Sequence, residues 1–274
     1  MKKTLFWTLS FLITVFFAVF QRMTGPTYPL RLTAELAGRP AAFRLVRSCE
    51  TGKGCPVLKA GAAELKGNLF WRRYPTPDVW ERIEFSCAGG SCGALNPSQP
   101  PAGKAEYRVE INTPSGPVSL GQKNVVARFK GAVPGWILLP HIILMFLFML
   151  FSVRIFISAA FGLEPVRHSV PATVAFLVFG GFLFGPLTQH YAFGQAWTGF
   201  PFGYDLTDNK TLLMLVFWLV ALRATLKARA ARFWLIAAFA VTAAVYFVPH
   251  SMFGSELDYK KGEVVTGARQ AQIP

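Results

Sequence analysis

Five apolar runs govern what this chain can become: residues 4–20, 136–153, 172–187, 212–222 and 233–248. In hydrocarbon every backbone N–H and C=O must find its partner within the protein, so such runs are expected as helices. The first follows Met1-Lys2-Lys3 and continues into Gln21-Arg22-Met23 without a small-x-small cleavage site. A basic start and an apolar run without that site point to an uncleaved signal anchor, residues 1–23. Composition agrees. Of 274 residues, 53% are hydrophobic and only 15% charged, against about a quarter charged in soluble domains. The formal charge of +14 would suit a nucleic-acid partner only if it formed one clustered basic face. Many of the basic residues flank the apolar runs instead, so no nucleic-acid partner is expected.

Those flanking charges set the expected orientation. Arg223, Lys227, Arg229 and Arg232 lie between the last two runs, Arg154 and Arg167 between the second and third, and Lys2 and Lys3 at the start. Short cytoplasmic loops carry the Lys and Arg excess. All three groups agree on five spans with the N-terminus inside and the C-terminus outside, in a bacterial inner membrane whose lipid bilayer is the constant partner. Residues 24–134, the loop 189–211 and the tail 250–274 then lie outside, and 135–274 forms a four-span bundle.

Residues 24–134 read as β-structure. In Glu106-Tyr107-Arg108-Val109-Glu110-Ile111 the apolar side chains alternate with charges, the period of a strand with one wet face. Leu30–Leu36, 43–46, 69–73, 82–85 and Val125–Lys130 are further expected strands, separated by Gly, Pro, Asn and Ser turns. Six or seven short strands over this length suggest a β-sandwich, and the whole an α+β membrane protein. All four cysteines fall here: Cys49, Cys55, Cys87 and Cys92. Their spacing lacks the tight pairs of zinc ribbons, so disulfides in an oxidising compartment are expected. Four cysteines allow three connectivities, with local pairing, 49 with 55 and 87 with 92, preferred.

The run Gln99-Pro100-Pro101-Ala102-Gly103-Lys104-Ala105-Glu106-Tyr107-Arg108-Val109 resembles the turn-and-strand entering a late strand of immunoglobulin-like or fibronectin-like sandwiches. Relatives of that fold include carbohydrate-binding modules, which implies a possible aromatic binding surface at Trp71, Tyr74 and Trp80, set against packing in the core. With Thr24-Gly25-Pro26-Thr27-Tyr28-Pro29 and the 197–211 segment, the chain also resembles a group of bacterial inner-membrane proteins combining an anchor helix, an exported domain of this type and a helical bundle. That resemblance implies architecture and no activity.

Candidate chemistry gathers at the outer ends of the spans. His141, His190 and His250 are expected in one layer there, with Asp205, Asp208, Glu256 and Asp258 among the nearby acids and Asn209 and Lys210 beside them. Imidazole and carboxylate suit a transition metal, and paired imidazoles a haem. Each histidine also has a plain reading; His141, after Pro140, suits a bond to a backbone carbonyl. Thr207 or Asp208 is expected to cap the fourth span, with an ion pair to Lys210 and a bound cation as further readings of the acids. Trp197 and its aromatic neighbours suit a membrane-interface belt, or a lid over a pocket for a quinone, haem edge or lipid. Gly180, Gly181 and Gly185 suit close helix packing. No H-E-x-x-H, G-x-S-x-G, Walker A or dinucleotide fingerprint occurs. The leading expectation is an interaction or assembly protein whose exported domain docks a membrane or extracytoplasmic protein. A redox, metal or haem protein, and lipid or carbohydrate binding, are the alternatives.

Overall fold

The computed structural model describes residues 2–36, 39–60, 64–88, 91–92, 95–163, 167–250, 252 and 254–266. They form a mixed α+β chain with four long apolar helices, several β-sheets and, among the described residues, no closed barrel. Contacts divide it into a helical unit (Met1–Pro26, Val133–Gly254 and Thr266–Pro274) and a β unit (Thr27–Ala132 and Ser255–Val265).

The helical unit holds α1 (Lys2–Thr24), α2 (Gly135–Phe161), α3 (Ser169–Leu177), a π-helical stretch (Val178–Phe184), α4 (Gly185–Phe193), α5 (Leu206–Leu226) and α6 (Ala231–Phe247). Residues Ser169–Phe193 run as one apolar helix, and it, α1, α2 and α5 are long enough to cross a membrane; α6 is apolar and shorter, at 17 residues. Buried Phe148, Met149, Met214, Trp218, Leu235 and Ala238 make the core. Trp218 donates its indole N–H to Thr242 at 2.9 Å, so the core's largest ring leaves no stranded donor. Gly180 and Gly181 let the π-helical stretch approach its neighbours: a methyl on Gly180 would sit 3.0 Å from the Leu144 side chain and one on Gly181 2.7 Å from Thr211. The π hydrogen bond from Gly185 N–H to Gly180 O lies next to Pro186, whose missing N–H removes one α-helical bond. Gly162 ends α2 in the left-handed region at φ 62°, and Arg232 donates to the nearby Ala160 carbonyl at 3.0 Å. Arg154 lies within α2 rather than in a loop; it is buried, bonds the Ser158 hydroxyl and sits over the Phe6 and Trp7 rings.

The β unit contains β1 (Leu30–Leu36), β2 (Arg39–Leu45), β3 (Ser48–Glu50), β4 (Cys55–Pro56), β5 (Leu58–Ala60), β6 (Glu64–Tyr74), β7 (Glu81–Ala88), β8 (Ser91–Cys92), β9 (Leu95–Asn96), β10 (Lys104–Thr113), β11 (Gly116–Ser119), β12 (Val125–Lys130), β13 (Glu256–Asp258) and β14 (Glu263–Val265). One sheet has the order β1-β2-β5; the larger runs β3-β12-β10-β6-β7-β8, with β11 also on β10. Phe43, Leu45 and Leu58 of the small sheet share one core with Leu69, Phe85, Tyr107, Val109, Ile111 and Phe129 of the large one. Tyr107, with no exposed surface, donates its hydroxyl to the Val46 carbonyl at 2.7 Å. Cys49 and Cys55 form a disulfide. Cys87 is also disulfide-bonded, and its Cα pairs with that of Cys92 across the β7–β8 hairpin.

The last stretch of chain departs from the expected division at residue 135. Residues 250–274 were expected as an outward tail of the bundle. Residues 267–274 lie outside the described residues, and Ser255–Val265 belongs to the β unit. The hairpin β13–β14 is tied to the polar side of the large sheet. Lys104 Nζ meets Glu256 Oε2 at 2.7 Å with both side chains nearly buried. The Leu257 amide donates to the Ala102 carbonyl at 3.1 Å, and the Tyr259 hydroxyl donates to the Lys104 carbonyl at 2.8 Å. Arg128 reaches the Ser255 carbonyl at 2.5 Å. Burial lowers the affinity of the Lys104 ammonium for its proton, and Glu256 opposes that. Burial also pushes the Tyr259 phenol up to about 12.

Removing one partner of a buried pair strands the other charge, at a cost of about 3 kcal/mol. Glu256→Gln is therefore expected to speed amide hydrogen exchange in β10 and β13. The double variant Lys104→Met with Glu256→Leu should restore much of the protection, because no charge is left stranded. Tyr259 gives a pH signature of defined sign. Its folded pKa lies above the unfolded value of about 10, so its contribution to stability is complete below that pH and lost as pH rises through about 12. Tyr259→Phe should delete a phenolate absorbance titration with its midpoint there.

Candidate functional site

The segment 189–211 folds back on the start of α5. Asp205 is the N-cap of α5, accepting from the Thr207 amide at 2.8 Å and the Asp208 amide at 3.4 Å. The cap thus lies two residues before Thr207 and three before Asp208, because Asp205 is the last residue with non-helical backbone, at ψ 121°. Asp208 accepts from the Thr198 amide at 2.7 Å. The Gln189 amide, turned to satisfy both partners, donates to Asp208 at 3.0 Å and accepts from the Thr198 hydroxyl at 2.6 Å. Asn209 Oδ1 accepts from the Phe200 amide at 2.7 Å. The Thr198 carbonyl in turn accepts from the Asp205 amide at 2.9 Å. Lys210 is buried and directs its ammonium to the Val248 and Pro249 carbonyls at 3.1 and 3.5 Å, at the end of α6.

This packing is why the segment carries its glycines. A methyl on Gly199 would lie 2.6 Å from Asp208 Cβ, and one on Gly203 would clash with the Thr198 carbonyl oxygen. Trp197 stacks on Phe182 with centroids 5.4 Å apart and donates to the Phe200 carbonyl at 3.1 Å. Phe200, Phe202 and Tyr204 are 67%, 83% and 77% exposed, the condition of an interface belt.

The three histidines have different surroundings. His141 Nδ1 donates to the Gly180 carbonyl at 2.9 Å, the same oxygen that accepts the π-helical bond from Gly185. His190 is exposed with its ring edge-on to Tyr191, and His250 is exposed in the turn after α6. Among the described residues, no group of three or more His, Cys, Asp or Glu side chains is arranged to hold a metal ion. Glu256 and Asp258 belong to the β unit and are buried there, Glu256 against Lys104 and Asp258 accepting from the Lys260 amide at 3.0 Å. His141, His190, His250, Asp205 and Asp208, the residues of the metal or haem reading, are not among any such group of three in the described residues. The oxygens and imidazole that suggested it hold loops and helix ends.

The proposed aromatic surface also divides. Trp71 and Tyr74 are three residues apart, so strand alternation puts them on opposite faces. Trp71 is in the core. Tyr74 is half-buried near the Lys104 ammonium, 5.9 Å from its ring centre. Trp80 remains outside the core, half-buried, with the Arg72 guanidinium 4.6 Å and the Arg108 guanidinium 5.3 Å from its ring. Arg108 also lies 4.6 Å over Phe70, and Arg72 is paired with Glu106 at 2.7 Å. Val79, beside Trp80, is 83% exposed. The arginines were overlooked in the sequence, although their alternation in β6 and β10 put them on the face opposite the core.

No protein family, curated protein or solved structure matches the chain.

Asp208→Ala is expected to leave the buried Thr198 amide without its acceptor, a cost of about 1–3 kcal/mol. Limited proteolysis of the detergent-solubilised protein should then cut within residues 195–204 about five- to 150-fold faster, by the usual conversion of free energy to populations. Gly199→Ala should give the same pattern, while Phe202→Ala, an exposed side chain, should not.

Proposed function

We propose that the chain is a membrane-anchored docking protein: the helical unit holds it in the bilayer, and the β unit is displayed outside to engage an extracytoplasmic protein. The observation that carries the reading is the corner formed by Val79 and Trp80. An apolar side chain 83% exposed stands beside a tryptophan braced by two guanidiniums. Trp and Arg dominate the residues that carry binding energy at protein interfaces. The corner suits a partner with an apolar pocket rimmed by carboxylates. The polar groups of the 189–211 segment favour the same reading, since their bonds run to the protein's own backbone and side chains.

The orientation rests on connectivity. The β unit includes chain from before α2 and from after α6. Both pieces must lie on one side of a membrane, so an even number of crossings separates them. The helix pair Gly135–Phe161 and Ser169–Phe193 supplies two and α5 a third. The fourth must be α6, whose 17 residues sit at the lower limit for a span. With α1 this makes five. The basic residues 223–232 then face the cytoplasm, and the β unit and 189–211 face outward, in a bacterial inner membrane. Two sheets on a common core support an immunoglobulin-like sandwich.

A photoreactive residue in place of Val79, in the full chain in its own membranes, tests the docking reading. The expected result is one discrete protein adduct, reduced roughly thirtyfold by Trp80→Ala, the effect of an interface hot spot. No adduct, or an adduct indifferent to Trp80→Ala, would overturn it.

A further inference from the structure

The small sheet places like charges side by side. Arg31 of β1 pairs in register with Arg44 of β2. Directly opposed like charges destabilise a sheet. Strand alternation explains why Arg31 and Arg44 are outside, since Leu32, Phe43 and Leu45 face the core. It does not explain why both outer positions are arginine. The other residues on this face in β1 and β2 offer little compensation. Thr33 pairs with Ala42 and Glu35 with Pro40, and Glu35 is four residues along β1 from Arg31, about 13 Å away at the usual strand rise. Among the described residues, neither guanidinium has a hydrogen bond or ion pair; Arg31 has only the Tyr28 ring, at 5.9 Å. Between the two arginines is a depression of about 320 Å³, lined by Arg31, Leu32, Thr33, Ala42, Phe43 and Arg44. Ala42 keeps it open, and Thr33 adds a hydroxyl to two planar forks.

We infer that Arg31, Arg44 and Thr33 form a phosphate-binding depression, and that its occupant is the headgroup phosphate of an anionic phospholipid. The guanidinium fork matches phosphate oxygens two at a time, and a bound anion would relieve the repulsion along the row. Lipid is favoured over a free anion by tethering. Only residues 25–29 separate α1 from β1, and only 131–134 separate β12 from α2. Two short tethers to apolar helices hold the β unit near headgroups at high effective concentration. The inference rests on the membrane reading of those helices, and its test keeps the two apart.

The full chain, purified in detergent, is titrated with phosphatidylglycerol or phosphatidylcholine and its bound lipids counted by native mass spectrometry. Wild type is expected to prefer phosphatidylglycerol, and Arg31→Gln with Arg44→Gln to bind it roughly thirtyfold more weakly, the effect of two basic side chains at an anionic surface. Arg31→Lys with Arg44→Lys keeps the charge and should fall in between, which guards against a folding defect in the glutamine variant. Equal binding by wild type and the glutamine variant would overturn the proposal. So would inorganic phosphate displacing the lipid at equal concentration, which would make the occupant a free anion. Carbonate extraction of cell membranes reports separately on the anchor. Wild type and variants retained in the pellet with unchanged lipid counts reject the site alone, whereas release of wild type rejects the membrane reading.

Discussion

The buried pair between Lys104 and Glu256 is the interaction on which the chain's organisation depends. It joins the first residue of a central strand to a hairpin more than 150 residues later, with nitrogen and oxygen 2.7 Å apart. Desolvating two charges is costly, and their attraction repays this only with good geometry and further hydrogen bonds. Those bonds are present: Tyr259 to the Lys104 carbonyl, Arg128 to the Ser255 carbonyl, and the Leu257 amide to the Ala102 carbonyl. A hydrophobic contact there could slide. A charge pair with directional partners holds the hairpin in one register. The β unit is thus closed with chain from before α2 and from after α6.

Within the helical unit the polar residues serve a related purpose. Helix ends leave N–H and C=O groups without intrahelical partners. Here Asp205 satisfies the start of α5, Lys210 the end of α6, and Arg232 the end of α2. His141 bonds the carbonyl at the π-helical stretch. The loop 194–205 is ordered by Asp208 and Asn209 while its aromatic tips remain outside. The exposed rings suit an interface belt.

Much of this was legible in the sequence where the signal is local. Two-residue alternation announced β1 and β12 at their observed bounds and located the middle of β6, β7 and β10. Apolar length announced the helices, and the close packing of Gly180 and Gly181 followed from their lack of a side chain. Non-local pairing was not legible. Glu256 and Asp258 looked like outward acids near histidines because strands of three residues carry no periodicity, and Lys104 is remote in sequence. For Trp71, Tyr74 and Trp80 the sequence left a surface set against core packing, and the register puts Trp71 in the core. The cap falls to Asp205 because the turn closed on the Gly199 carbonyl ends at Gly203 and helical backbone begins only after Asp205. The Arg31–Arg44 juxtaposition exists only once two strands are paired.

The central claim, that α6 completes an even number of crossings so both parts of the β unit share one side, is tested by cysteine accessibility. The native disulfides leave no free thiol among the described residues, so single cysteines can be placed at Phe202, Ala228 and Gly262, an exposed site in each of three connecting segments. Intact cells or right-side-out vesicles are treated with a membrane-impermeant maleimide. The account predicts labelling at 202 and 262, and at 228 only after the membrane is opened. Labelling of 202 with protection of 262 would contradict it, because α6 would then not cross and the hairpin could not close the β unit.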